Sequence, residues 1–260
     1  LVTEIQQSKD FFPAKMLVDL GNSDALWLFP NRIPHFNYNR PNIDDFLGRG
    51  FNGDIYGKRS RIHAVKLGKS TLNEPIASMP SEESVKSMNF AKGRIGSIGS
   101  DILKRFTIVF DYPNNNLYIK KSKTVKDPFK FNMSGLDIKH DGMKWESDLV
   151  KVDTPKPKES SKNDINVYNA VSDFQYKFIL KPEYSVVGVR ENSPAYFAEI
   201  KKGDKLLEIN GKKASDMTLQ QINEVFLSEE NRKIKIKLLR NSVTLLKEFV
   251  LKDPIPFQEN

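Results

Sequence analysis

The 260 residues carry 41 Lys+Arg against 33 Asp+Glu, a formal charge of +8, and no cysteine, so disulfides, thiol catalysis and cysteine metal sites are excluded. This length exceeds one ordinary domain and suggests two compact units of roughly 120 residues each. No apolar run approaches the ~18 residues of a membrane span.

The first informative segment runs from Met16 to Leu28, MLVDLGNSDALWL. An apolar strand leads straight into Asp19, Gly21 and Ser23 before hydrophobicity resumes, which presents a carboxylate at a strand end. Gly21 is expected to permit a backbone path that a β-carbon would obstruct, and Ser23 to hydrogen-bond the Asp19 carboxylate. From Phe46 to Ile62, glycines at 48, 50, 53 and 57 punctuate apolar and aromatic residues, the pattern of a hairpin. Ser97-Ile98-Gly99 then leads into a short helical stretch, and Thr107–Tyr112 and Leu117–Ile119 read as strands around a Pro113–Asn116 turn.

Taken together, these segments resemble the lobe of a retropepsin-like aspartic peptidase, in which an apolar-apolar-Asp-Thr/Ser-Gly loop is followed by a hydrophobic-hydrophobic-Gly element. The resemblance implies a closed β-barrel lobe with Asp19 catalytic, Gly21 and Ser23 supporting it, Gly99 making room where strands cross, and a flap whose Gly50, Phe51 and Gly53 meet substrate. It also implies a pair of aspartates sharing one proton, about 3 Å apart in that family. Only one such motif is present, so the second aspartate is expected from a peptidase lobe upstream or from a homodimer mate. Leu20 stands where the family usually has a hydroxyl residue that grips the paired loop. The chain opens at Leu1, already in strand-like sequence and with no signal peptide, which fits the second lobe of a longer protein.

The lysine-rich stretch Lys120–Lys126 reads as a solvated linker, dividing residues 1–122 from 123–260. Its lysines have no aromatic stacking platform beside them, so nucleic acid is not an expected partner. His35, His63 and His140 lie far apart without clustered carboxylates, which argues against a metal site, and no cofactor is expected.

Beyond the linker, Ser134-Gly135-Leu136-Asp137-Ile138 opens a second unit. It is followed by a strand ending in Ser193-Pro194-Ala195, suited to a helix N-cap and N1, then a strand that turns at Asn210-Gly211. Thr218 with Gln221 fits a capping box, and Leu219, Ile222, Val225 and Phe226 share one helical face. Strands with alternating lysines close the pattern at Lys233–Leu238 and Leu245–Leu251. This order looks like a PDZ domain, a partly open β-barrel with two helices.

In that family an extended peptide adds to a sheet edge, and Gly135, Leu136, Asp137 and Ile138 would occupy the peptide-end loop. Asp137 replaces a glycine of the pattern, which disfavours a peptide C-terminus. A polar segment from about 140 to 173, with Thr154–Asp164 at its centre, reads as an inserted loop. The whole arrangement is similar to extracytoplasmic peptidases of Bacteroidetes-type bacteria, implying a periplasmic, secreted or lipoprotein-anchored protein and a peptide or protein substrate. The rival expectation is a noncatalytic peptide-binding protein carrying a degenerate peptidase-like lobe.

Overall fold

In the computed structural model the chain is described over residues 1–6, 10–36, 40–50, 53–86, 89–151 and 174–257. Over these described residues it is mainly β, with four short α-helices. It divides into two compact units: residues 1–133 joined by 252–260, and residues 134–251.

The first unit contains β1 (Val2–Gln6), β2 (Phe11–Val18), β3 (Leu26–Leu28), β4 (Asn42–Gly50), β5 (Gly53–Arg61), β6 (Ala64–Leu67), β7 (Ser70–Asn73), β8 (Ile76–Pro80), α1 (Glu82–Val85), β9 (Arg94–Ile98), α2 (Ser100–Leu103), β10 (Phe106–Asp111) and β11 (Asn116–Lys121). Nine of these strands form one sheet in the order β4-β5-β8-β3-β9-β2-β1-β6-β7, an open path, while β10 and β11 pair separately. Alternation builds its core. In β2, Ala14 and Met16 turn inward while Lys15 and Leu17 turn out, and Ile5, Leu26, Leu28, Val65, Leu72 and Ile98 are almost wholly buried. Burying each such side chain contributes about 1.5–3 kcal/mol. The C-terminal segment returns to this core: Ile255 is fully buried, and the buried Arg61 donates to its carbonyl at 2.9 Å and pairs with Asp253 at 3.4 Å.

The second unit contains β12 (Leu136–Lys151), β13 (Phe174–Val189), α3 (Pro194–Phe197), β14 (Lys205–Ile209), β15 (Lys212–Lys213), α4 (Leu219–Phe226), β16 (Lys233–Arg240) and β17 (Val243–Val250). Its sheet runs β12-β13-β14-β16-β17, with β15 on β14. Local chemistry sets the ends of these elements. Ser193 caps α3 with Pro194 in its first turn, Thr218 and Gln221 form a reciprocal capping box on α4, and Asn210 and Gly211 both take positive φ in the turn after β14. In β16 the isoleucines and Leu238 are fully buried while Lys233 and Lys235 face solvent.

The polar segment read as a loop from His140 differs in part. The chain continues as strand to Lys151 and resumes at Phe174, pairing in register from Gly142↔Glu183 to Lys151↔Phe174. Polar composition hid a period of two, with Lys144 and Glu146 alternating against Met143 and Trp145. The centre of that segment, Thr154–Asp164, lies outside the described residues. No described helix is long and apolar enough to cross a membrane.

One buried ion pair ties the second unit together. Asp204, 1% exposed, receives Arg240 Nε at 2.6 Å and Nη2 at 2.7 Å, and its second oxygen accepts the Lys201 N–H at 2.9 Å. Burial opposes ionisation, yet the guanidinium and the N–H outweigh it and hold the Asp204 carboxyl below its ordinary value. Removing one member of such a pair leaves the other uncompensated, so Asp204→Asn should cost about 3 kcal/mol in denaturant unfolding at neutral pH. Because the folded-state value is the lower one, this stabilisation is complete above the unfolded value of about 3.9 and is lost as pH falls through the folded value. The gap between variant and parent should therefore close in acid.

Candidate functional site: a crossed loop at Asp19 and a strand-edge groove at Leu136

In the first unit the chain from 19 to 25 joins β2 to β3, yet the two strands do not pair. β9 lies between them, parallel to β2 through Leu17↔Ser97 and antiparallel to β3 through Trp27↔Ser97. The connecting loop must therefore pass across the end of β9. Asp19 N–H donates to Ile98 O at 2.9 Å, Gly99 N–H to Ala25 O at 2.9 Å and Ser100 N–H to Asn22 O at 2.7 Å. Gly99 makes the crossing possible, because a β-carbon there would sit 2.1 Å from Asp24 O and 2.8 Å from Asn22 O. Those are backbone atoms and cannot swing aside.

Asp19 is partly exposed at the head of this loop, and its Oδ1 accepts the Gly21 N–H at 3.0 Å. Two expected roles are corrected. A β-carbon on Gly21 would meet only Asp19 Oδ1 at 3.4 Å, an ordinary contact, so the steric requirement falls on Gly99 and Gly21 contributes its N–H. Ser23 is exposed, and among the described residues no hydrogen bond joins it to Asp19. The side chain that orders the loop is Asp24, whose role sequence reasoning did not reach.

Asp24 Oδ2 accepts Trp27 Nε1 at 2.7 Å and Ser78 Oγ at 2.8 Å, and its Oδ1 faces Arg59 Nη1 at 2.7 Å. Arg59 also binds Asp45 at 2.8 Å, and the Arg59 and Asp24 side chains are only 12% and 13% exposed. The root of the β4–β5 hairpin is thereby bolted to the Asp19 loop, and the Asp24 carboxylate is consumed by structure. The Trp27 contact at i+3 is a local trace of this network, whereas Arg59 and Ser78 lie 35 and 54 residues away.

The hairpin itself is as expected, with Gly50 opposite Gly53, positive φ at Gly48 and Gly53, and Arg49 paired to Asp54 at 2.7 Å near the tip. Phe51 lies outside the described residues. Gly57 answers a close approach, since a β-carbon there would fall 2.2 Å from Met79 O on β8. Arg94 on β9 donates to Gly96 O at 3.0 Å and Ser97 Oγ at 2.7 Å. Burial lowers its guanidinium below the ordinary value, and the negative charge of Asp19 partly restores it, so Asp19 has a cation in electrostatic reach. A separate cleft of about 650 Å³ is lined by Phe29, Arg32, Pro80, Glu82 and Phe90, and its lining does not include Asp19.

In the second unit Gly135 takes φ +80, and a β-carbon there would fall 2.2 Å from Ser193 Cβ. Leu136 is fully buried and its N–H donates to Ser134 Oγ at 3.0 Å. Asp137 is exposed and stands opposite Gly188, where its Oδ2 fills the space a β-carbon would take, at 2.7 Å. Ile138 is half-buried. Among the described residues β12 pairs in the sheet with β13 and forms its outer strand, and α4, with Ile222 and Phe226 buried, packs beside it. An extended chain can add to such an edge through main-chain hydrogen bonds. Among the described residues no three His, Cys, Asp or Glu groups cluster as a metal site would require.

These contacts predict opposite outcomes at neighbouring positions. Gly99→Ala should destabilise the chain by about 3 kcal/mol, because the added carbon forces backbone apart. Ser23→Ala should stay within ~0.5 kcal/mol of the parent, as expected for an exposed side chain without a partner in the loop. Urea unfolding midpoints of the two variants check both values.

Compared with known proteins, residues 185–240 match the family model described as PDZ domain. Among solved structures, the chain aligns with one titled "HtrA-type protease AlgW with decapeptide" at 14% identity and a TM-score of 0.32, covering 94% of this chain. This chain spans 66% of the length of that protein. Residues 185–240 are a PDZ domain, a peptide-binding module, and a peptide or protein is therefore the partner the second unit is built to take.

Proposed function

We propose that this protein is one half of an aspartic-type endopeptidase whose PDZ module binds peptide or substrate. The observation that carries the reading is the crossed loop: Asp19 stands at the head of a connection that β9 threads between β2 and β3, and Gly99 is the residue that makes the crossing sterically possible. Asp19, with its Oδ1 held by the Gly21 N–H, supplies one carboxylate. A second, from a lobe upstream or from another copy of this chain, completes a pair that shares a proton; one member then draws a proton from water while the other donates a hydrogen bond to the scissile carbonyl. Exposed Leu17 and Leu20 beside Asp19, at 44% and 64%, suit a face that meets such a partner. The β4–β5 hairpin, with Gly50 and Gly53 at its tip, is proposed to cover bound substrate. An extracytoplasmic location belongs to the same proposal and rests on the likeness of the two-part arrangement to peptidases found there.

Leu20 also favours a second reading, a noncatalytic peptide-binding protein, because it brings no hydroxyl to grip a paired loop. Cleavage of a mixed peptide library from acidic to neutral pH separates the two. The enzyme reading expects cleavage favoured in acid, where a coupled pair retains its shared proton, and loss to background in Asp19→Asn. A rate that rises with the square of protein concentration identifies the second copy as the donor of the other carboxylate. Absence of cleavage both from this chain and from the chain joined to its upstream sequence overturns catalysis and leaves the binding protein.

A further inference from the structure

The sheet of the second unit continues as a two-stranded arm. Among the described residues β13 pairs with β14 at Tyr184 and Ser185 alone, so from Glu183 back to Phe174 the sheet is only β12 and β13 wide. β13 carries no extra residue between Phe174 and Val186, and Tyr184, Pro182, Leu180, Phe178 and Tyr176 therefore project from one face. Tyr184 is 3% exposed and its hydroxyl donates to Met217 O at 2.7 Å. Past that cover, exposure climbs to 43% at Leu180, 67% at Phe178 and 71% at Tyr176, and on the same face of β12 Met143 is 50% and Trp145 67% exposed. The reverse face is charged: Lys144 and Lys177 are exposed on it, and Lys181 is held by Glu146 at 3.6 Å and Asp216 at 2.9 Å. A contiguous apolar patch of this kind marks an interaction site.

Two physical arguments say what covers it. A hairpin by itself is marginal in water, and two-stranded β structure gains stability when a further layer packs on its apolar face. That layer has to be there whenever the chain is folded, a condition that another copy of the chain meets and a passing ligand does not. Area points the same way. Three aromatic side chains roughly two-thirds exposed, with Met143 and Leu180, present on the order of 550 Å² per copy. A symmetric pair then buries roughly 1,100 Å², just above the ~1,000 Å² expected of a specific interface. The charged reverse face stays in water, so the contact closes at two copies and does not propagate into a stack.

We infer that the apolar face of the arm, formed by Met143, Trp145, Leu180, Phe178 and Tyr176, packs against the same face of a second copy of this chain. Two such layers stack about 10 Å apart with interdigitating side chains. A two-fold axis makes the contact self-complementary, because each copy offers the same surface to the other. Exposed Ser147, opposite Phe178 and two residues along from Trp145, leaves a notch between those bulky groups that a ring of the facing arm fills. The inference goes beyond the peptidase reading and does not rest on it. A pair held through the arms keeps a second copy, one of the two proposed sources of the other carboxylate, at high effective concentration.

Sedimentation velocity on the full chain tests it. An interface of this size should dissociate in the micromolar range, so the parent should pass from monomer to dimer between about 1 and 100 μM. W145S/F178S should weaken the pair at least about tenfold, while K144S/K177S on the charged face should leave it within about twofold. M143S/Y176S repeats the test on the same face should the first pair impair folding, with far-UV circular dichroism checking each variant. The chain has no cysteine, so S147C introduces a single thiol. A bismaleimide of about 10 Å span should join two copies through it, and should fail to do so when W145S/F178S is added or when the thiol is placed by K202C in an exposed turn. A parent that stays monomeric at the highest concentration, or a dimer that ignores both pairs of arm substitutions, overturns the inference. A monomer that sediments with anionic phospholipid vesicles, and no longer does so as W145S/F178S, assigns the face to lipid and overturns it also.

Discussion

The first unit depends on one crossing. Two strands that flank β9 belong to a single connection, so the chain between them has to pass over the end of β9 at backbone contact distance, and only a residue without a β-carbon allows Asp24 O and Asn22 O to close on it. The three N–H groups donated across that crossing, from Asp19, Gly99 and Ser100, satisfy polar backbone that the crossing would otherwise bury unpaired. Asp19 is held partly exposed because its own backbone is spent on Ile98. A loop lacking these constraints would present the same carboxylate in many orientations.

Around the crossing, the charged side chains divide into structural and available groups. Asp24 satisfies both its oxygens on Trp27, Ser78 and Arg59, and Arg59 is shared with Asp45 from the hairpin. Both ions are largely withdrawn from water, which makes their attraction strong and the loss of either partner costly. The result is a rigid joint between the hairpin root and the loop that carries Asp19. Asp19 itself keeps one local hydrogen bond and the distant field of Arg94. A catalytic carboxylate needs that residual freedom, and in the proposed function its remaining partner comes from outside this chain segment.

The second unit solves a different problem. Among the described residues β12 is the outer strand of its sheet, and an edge strand is a liability that a fold has to manage. Here the edge strand is unusually long, and its apolar face outruns the helix that would cover it. The bulge between His140 and Gly142, with Gly142 at φ +117, lets the strand bend without losing pairing, so the apolar side stays on one face through the bend.

Much of this was legible from residues alone wherever the physics is local. Period-two alternation marks β16, the Thr218/Gln221 box marks the start of α4, Ser193-Pro194 starts α3 and Asn210-Gly211 makes its turn, because capping and turn chemistry act within four residues. The mainly β class follows from such signals in series, whereas the peptide-binding module was reached through the resemblance of their order to a PDZ domain. Tertiary structure alone decided that the steric burden falls on Gly99 rather than Gly21, that Asp24 and not Ser23 steadies the loop, and that residues 140–151 extend as strand. Each of these depends on groups brought together from dozens of residues away, or on a partner strand that turns a polar stretch into one face of a sheet, and no local pattern encodes a distance between segments that meet only after folding.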